Sequence, residues 1–445
     1  MYIFPKDLYT DVRIEEMYDL WINWKNKEIE SDSMTKETGA IIRVYDGTMW
    51  YSSTTNNIDE IQKEIDNLAT IATKNPDVYE DPMVKNFEVN NDTVLCFDGD
   101  KDIRNVTREQ WLTLMNHYVD TCVDDTIEEI KATYVNVGCS YKKKSFYSSK
   151  GASIVQDYQK GYLTAFYEIT VDGVTTSGGK GYYEMFFDCL KDREAEIVAE
   201  RDRCLDFARN AVPVEPGEYT CILSPVTTSM FVHESFGHKS EADFMLNDKT
   251  LQDEWVMGKV VGSELVSICD KGNLMNHGYV PYDDEGTKAG ETWLIKNGKL
   301  TGRLHNAKSA AILNEPLTGS ARAQNYYHVP IVRMTNTFMQ GGETKPEEMI
   351  AEVKDGIYVY DVTFGTGQAT FTLKPSIAYR IRDGKLCEPV RINVITGSVF
   401  ETLFLIDAVG TDYKLFNTFT CGKGNQGAMV SAGGPSIRVK KLMVN

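Results

Sequence analysis

Two imidazoles and a carboxylate fall within six residues of this chain: His233, Glu234 and His238, in the stretch SPVTTSMFVHESFGHKSEAD from Ser224 to Asp243. Neutral imidazole is the commonest protein metal ligand, and a glutamate beside two of them is placed to take a proton from an attacking water. These residue types therefore point to metal-assisted hydrolysis. The spacing is one residue longer than the pattern in which two histidines four apart hold zinc from one helical face. In a regular helix, positions four apart lie ~40° apart and positions five apart ~140° apart, which pairs Glu234 with His238 and turns His233 away. For both rings to reach one ion, the turn must widen as a π-type bulge or the helix must bend at Gly237. An irregularity between His233 and His238 is thus expected. Ser224 and Pro225 mark the helix start, because a serine oxygen caps a free N–H and proline at the first position gives up no bond. The competing reading is a surface helix with a plain Glu–His pair. It is disfavoured by economy: the chain has six histidines, at 117, 233, 238, 277, 305 and 328, and two of them flank one glutamate.

Other residues could serve the same chemistry. Glu241, eight residues after His233, shares its face on an ideal helix and could orient that ring; a solvated carboxylate is the alternative. His328, in NYYHVP, is a candidate to polarise a substrate carbonyl, or else a structural histidine beside Pro330. Asp283, Asp284 and Glu285 read as an acidic loop rather than a second metal site. His117 sits inside an amphipathic pattern as a partly buried structural residue. The nine cysteines are scattered without a CxxC pair, which argues for reduced thiols and against a disulfide framework. Cys421 stands apart, since Gly-Lys-Gly follows it in a polar, glycine-rich tail; a buried free thiol is the default for any other cysteine.

The elements that must position these groups read as an α+β protein in three parts. Residues 1–105 form an N-terminal α+β lobe, with a hairpin at Asp46-Gly47 and a helix whose stripe is Ile58, Ile61, Ile65, Leu68 and Ala72. Residues 106–212 form a middle α+β lobe. A capping box at Thr107 and Gln110 opens a helix there, Tyr134 to Thr176 reads as antiparallel sheet, and a charged amphipathic helix ends before Pro213. Lys142 to Lys144 read as a solvated strand edge. VPVEPGE, from Val212 to Glu218, reads as the linker into residues 213–445. Turns at Asn297-Gly298 and Asp383-Gly384 then separate strand-like runs, which predicts a large antiparallel sheet wrapping the motif helix.

Composition excludes some functions. A net charge of −18, from 47 basic and 65 acidic residues, disfavours direct contact with nucleic acid, which relies on basic side chains releasing counterions. No apolar run approaches the ~20 residues of a membrane span, and the first residues lack a leader's basic and apolar pattern, so a cytoplasmic protein is expected.

Four blocks taken together, HESFGHKSEAD, YDDEGT, NYYHVPIVRMTNT and CGKGNQG, resemble the TldD/PmbA metallopeptidases, also called modulators of DNA gyrase. The likeness is close over the last half of the chain and loose over the first. It implies zinc held by His233, His238 and, at the CGK position, Cys421, with Glu234 as general base, and it marks the chain as similar to the metal-bearing TldD branch. It further implies a dimer, with itself or with a related subunit that lacks the metal motif, acting on short or unfolded peptides. A non-catalytic peptide-binding or assembly subunit and a hydrolase of small amides are the alternatives.

Overall fold

The computed structural model describes residues 2–367 and 369–445. Its first half is organised by one seven-stranded sheet. Trp50–Thr55, Glu28–Tyr45, Tyr9–Lys25, Ile130–Ser148 and Ser153–Val171 run antiparallel in that order, and Asn91–Val94 and Val174–Glu184 both pair with Ser153–Val171. Tyr9–Lys25 is bonded along its length to Ile130–Ser148, so the sheet continues across residue 105, where the sequence suggested a boundary between lobes. Alternate residues of a strand face opposite sides. On one side Leu20, Ile22, Val135, Val137 and Leu163 pack against helices Arg108–Cys122 and Glu194–Asn210 through Trp111, Tyr118 and Ile197. Thr107 and Gln110 form the expected capping box. His117 is exposed on its helix beside Glu194, not partly buried, because position 117 faces away from the stripe of Trp111, Leu114 and Tyr118.

The opposite face of that sheet carries Asp11, Arg13 and Glu15, each almost completely buried. Charged residues at alternate positions stay buried only against compensating charge, and here the cover is the second half of the chain. Arg43 holds Asp11 through two bonds of 2.9 and 2.7 Å and lies 3.6 Å from Glu285. Lys144 meets Asp284 at 2.7 Å, and Lys142 meets Glu15 at 2.9 Å. The Gln156 side chain bonds both the N–H and the carbonyl of Tyr282. Two expectations change accordingly. Lys142 to Lys144 lie on a central strand, not an edge, and the acidic loop is buried: Asp284 and Glu285 dock against the cations of the sheet, while Asp283 accepts from the backbone N–H groups of Glu285, Thr287 and Ala321.

Residues 213–445 build two further large sheets and a two-stranded one, Ala321–Arg322 with Ile331–Val332. Gly217–Leu223, Asp355–Gly367, Thr370–Arg382, Ile395–Ser398 and Ile437–Val444 close into a five-stranded ring, since Asp355–Gly367 pairs both Gly217–Leu223 and Thr370–Arg382. The second sheet runs Lys299–Leu300, Glu291–Lys296, Ile268–Lys271, Asn336–Met339, Gln426–Gly434, Lys414–Lys423. The motif helix lies between them, flanked by two sheets of mixed direction rather than wrapped by one antiparallel sheet. Gly217–Leu223 leads into that helix, and the chain returns only at Asp355–Gly367, so the two strands pair in parallel, as a long crossover allows. The linker stretch also joins this layer, Val212–Pro213 pairing with Lys385–Arg391. Turns at Asp172-Gly173, Asn297-Gly298 and Asp383-Gly384 have φ > 0 at both residues, the mirror-image turns those dipeptides favour. Among the described residues no helix is long and apolar enough to cross a membrane.

Candidate metal centre

Ser224 caps the motif helix by accepting from the Thr227 N–H, and its hydroxyl donates to Tyr360 O at 2.6 Å, tying the helix start to the ring of strands. Pro225–Phe231 is α-helical, Val232–Gly237 is a π turn and His238–Ser240 is a tight 3₁₀ turn. Within the π turn the His238 N–H donates to His233 O, five residues back. That bond joins the two residues the spacing required to be brought together. The widened turn also keeps Phe231 and Phe236 buried, the first against Phe371 and the second against Trp255. Tight packing follows it closely: a Cβ on Gly237 would lie 2.1 Å from Met334 Sδ, and one on Gly367 would lie 2.7 Å from Glu234 O.

The two rings stand edge to face, their planes 75° apart and their centroids 5.0 Å apart. Cys421, on Lys414–Lys423, brings its sulfur 3.3 Å from His238 Nε2. One ligand atom from each of His233, His238 and Cys421 lies within 4.8 Å of the other two. Tetrahedral zinc with bonds of ~2.0–2.3 Å sets its ligands about 3.5 Å apart, so this donor set fits the ion in chemistry and nearly in span. The Glu234 carboxylate stands 4.0 Å from His238 Nε2 and is partly exposed, whereas His233 and Cys421 are buried.

Charge within the cluster is arranged for a cation. Burial would raise the Cys421 thiol, but bonds to His233 and His238 and their charge bring it down to about 5. Burial would lower His238, yet Cys421 and Glu241 hold it up at about 10. The pair therefore favours a thiolate beside a protonated ring, and thiolate is the ligating form. Burial pushes Glu234 above the ordinary carboxylate range, the neighbouring imidazoles opposing it. For Glu241 burial is outweighed by His238, Lys423 and Arg333, so that carboxyl falls below its usual value.

Glu241 does not orient His233. The helix ends at Ser240, Glu241 is extended (φ −74, ψ 107), and its carboxylate reaches His238 Nδ1 at 3.0 Å and Lys423 at 3.2 Å. Eight-residue face matching fails because no helix survives that far. His328 lies in the turn before Ile331–Val332; its ring bonds Asn325 Oδ1 at 2.7 Å, and its carbonyl accepts from Arg13. That segment adjoins the Cys421 hairpin, since Gln426 donates to Val329 O and buried Arg333 donates to the carbonyls of Cys421 and Gln426. His305 is structural, bonded to Ser309 and Glu315. Arg333 and Lys423 escaped the sequence reading. Lys423 was signalled only by standing two residues from Cys421, on the same side of a strand.

Residues 216–445 match the sequence profile of the PmbA/TldA metallopeptidase C-terminal domain, and residues 10–74 match domain 1 of the same family. The chain is 30% identical to a metalloprotease of Methanocaldococcus jannaschii over 97% of its own length and 95% of the relative's. It is 29% identical to a metalloprotease of Synechocystis sp. over 98% and 94%. A zinc metalloprotease TldD homolog of Saccharolobus solfataricus is 31% identical, with 74% of each chain covered. Among solved structures, TldE of Thermococcus kodakarensis superposes with a TM-score of 0.75 at 16% identity, covering 98% of this chain and 96% of that one. A candidate modulator of a DNA gyrase from Thermotoga maritima gives 0.77 at 18%, covering 98% and 96%.

Proposed function

Since the chain belongs to the TldD/PmbA metallopeptidase family, we propose that it is a zinc-dependent peptidase of the HExxxH type that hydrolyses short or unfolded peptides. Zinc is held by His233, His238 and Cys421, and Glu234 is the general base. The observation that carries this reading is the convergence of three ligand atoms within 4.8 Å from two distant parts of the chain, beside a carboxylate. Zinc bound there supplies Lewis acidity, acidifying water and polarising a carbonyl. Three protein donors leave a fourth position for water or substrate. Glu234, raised by burial and partly exposed, takes the proton of the attacking water and returns it to the leaving amine. His328, on the segment beside the Cys421 hairpin, is proposed to polarise the substrate carbonyl.

Family resemblance supports a dimer, with a second copy or with a related subunit, and the mass of the purified chain in solution distinguishes pairing with itself from the need for a partner. The peptidase reading is tested by turnover of an unstructured peptide by the purified protein. Chelation should abolish cleavage, and stoichiometric zinc should restore it. Full turnover after complete metal removal would refute the proposal, whereas bound zinc with no turnover would favour the non-catalytic subunit.

A further inference from the structure

Lys423 follows Cys421 by two residues on Lys414–Lys423, so both side chains leave the same face of the strand. Cys421 meets one nitrogen of the His238 ring directly, and Lys423 bears on the other through Glu241. Cys421 Sγ lies 3.3 Å from His238 Nε2, while Lys423 Nζ lies 3.2 Å from the Glu241 carboxylate, which itself stands 3.0 Å from His238 Nδ1. Lys423 is anchored from three further sides: Asp243 Oδ1 and Oδ2 at 2.7 and 2.9 Å, Val332 O at 2.9 Å, and the ring of Phe244 at 4.1 Å. Glu241 has no exposed side-chain surface. A flexible lysine held this way is a fixed post against which Glu241 can brace the imidazole.

We propose that Lys423 is a positioning residue for the metal. Acting through Glu241, it fixes the Nδ1–H form and the plane of His238, so that Nε2 faces the ion beside Cys421. Partners of this kind in other metal sites change affinity by about 10–100-fold. The inference rests on the zinc reading above and adds to it a residue outside the candidate ligand set of His233, His238 and Cys421.

The test is titration of the metal-free, full-length protein with Zn²⁺ against a competing chelator, for the parent, Lys423→Met, Lys423→Arg and Glu241→Gln. Thermal unfolding of each metal-free variant accompanies it. Lys423→Met and Glu241→Gln should each weaken zinc binding about 10–100-fold, Lys423→Arg should recover part of the loss, and the double variant should lose little more than either single one. A merely structural lysine would lower the metal-free unfolding temperature and leave the affinity of the folded protein unchanged. Zinc binding by Lys423→Met within about threefold of the parent would overturn the inference while the parent's own binding upheld the metal site. Should Lys423→Met not fold, Glu241→Gln, which keeps the side chain's shape, carries the same criterion. A parent that fails to bind zinc overturns both readings.

Discussion

Cys421 and His238 lie in hydrogen-bond contact, sulfur to nitrogen 3.3 Å apart; His233 joins His238 in lowering the thiol, and Glu241 joins Cys421 in raising the imidazole. A divalent ion bound here would take the place of the proton on these groups, with His233, His238 and Cys421 as the side chains to hold it. Glu234 stands beside them without belonging to the ligand set. Glu234→Gln should therefore retain zinc, by direct metal analysis, while peptide turnover falls roughly 10²–10⁴-fold; undiminished turnover would remove it as the base. A second carboxyl is perturbed away from the site. Burial raises Asp361 to about 6, opposed first by the Val362 N–H it accepts and then by Lys180 and Arg203. Its native form holds a proton more tightly than the unfolded chain does, at an ordinary value of about 3.9. Its contribution to stability is therefore complete below ~4 and is lost as pH rises through about 6. Asp361→Asn should thus gain in Tm over the parent between pH 4 and 7. Parallel Tm–pH curves for the two proteins would contradict this.

At the scale of elements, the π turn is the device that makes a five-residue spacing usable. It is enforced from outside as well as by its own bonds. Met334 fills the groove left by Gly237, and the hairpin of Asp355–Gly367 and Thr370–Arg382 closes on the turn where Gly365 and Gly367 have no side chains. Gly237 has ordinary helical backbone angles, so its requirement is space alone. Gly237→Ala should destabilise the protein by about 1–3 kcal/mol through overpacking, and adding Met334→Ala should return part of the loss. A Gly237→Ala protein as stable as the parent in urea would show that the Met334 contact is easily relieved.

The whole molecule is held together across a polar seam. The charged face of the first sheet meets Asp284 and Glu285, and Arg13 reaches beyond them to the carbonyls of Asn325 and His328 at 2.9 and 3.0 Å. The seam thereby places the segment that adjoins the Cys421 hairpin. Such buried pairs add little net stability when intact, but removing one partner strands the other's charge. Asp284 and Arg13 have side chains 2% exposed, and Lys144 is 11% exposed. Asp284→Asn should cost ~3–5 kcal/mol, with little dependence on salt because the charges are buried. A loss below ~1 kcal/mol in urea unfolding would mean that the seam is solvated in solution.

What the sequence determined by itself was local chemistry and local geometry. The helix start at Ser224-Pro225, the distortion demanded by His233 and His238, the glycine turns and the capping box at Thr107 all depend on neighbours a few residues away, and they stand in the structure. The four blocks that carried the resemblance also pointed to the family. Tertiary structure decided everything that depends on which distant strands meet. It placed Glu241 on His238 rather than His233, sank Asp284 and Glu285 against cations more than a hundred residues away, and set the motif helix between sheets of mixed direction. The physical reason is reach. A capping bond or a turn is settled by a handful of torsions, whereas the burial of a charge and the partner of a carboxylate depend on surfaces that exist only once the chain has closed on itself.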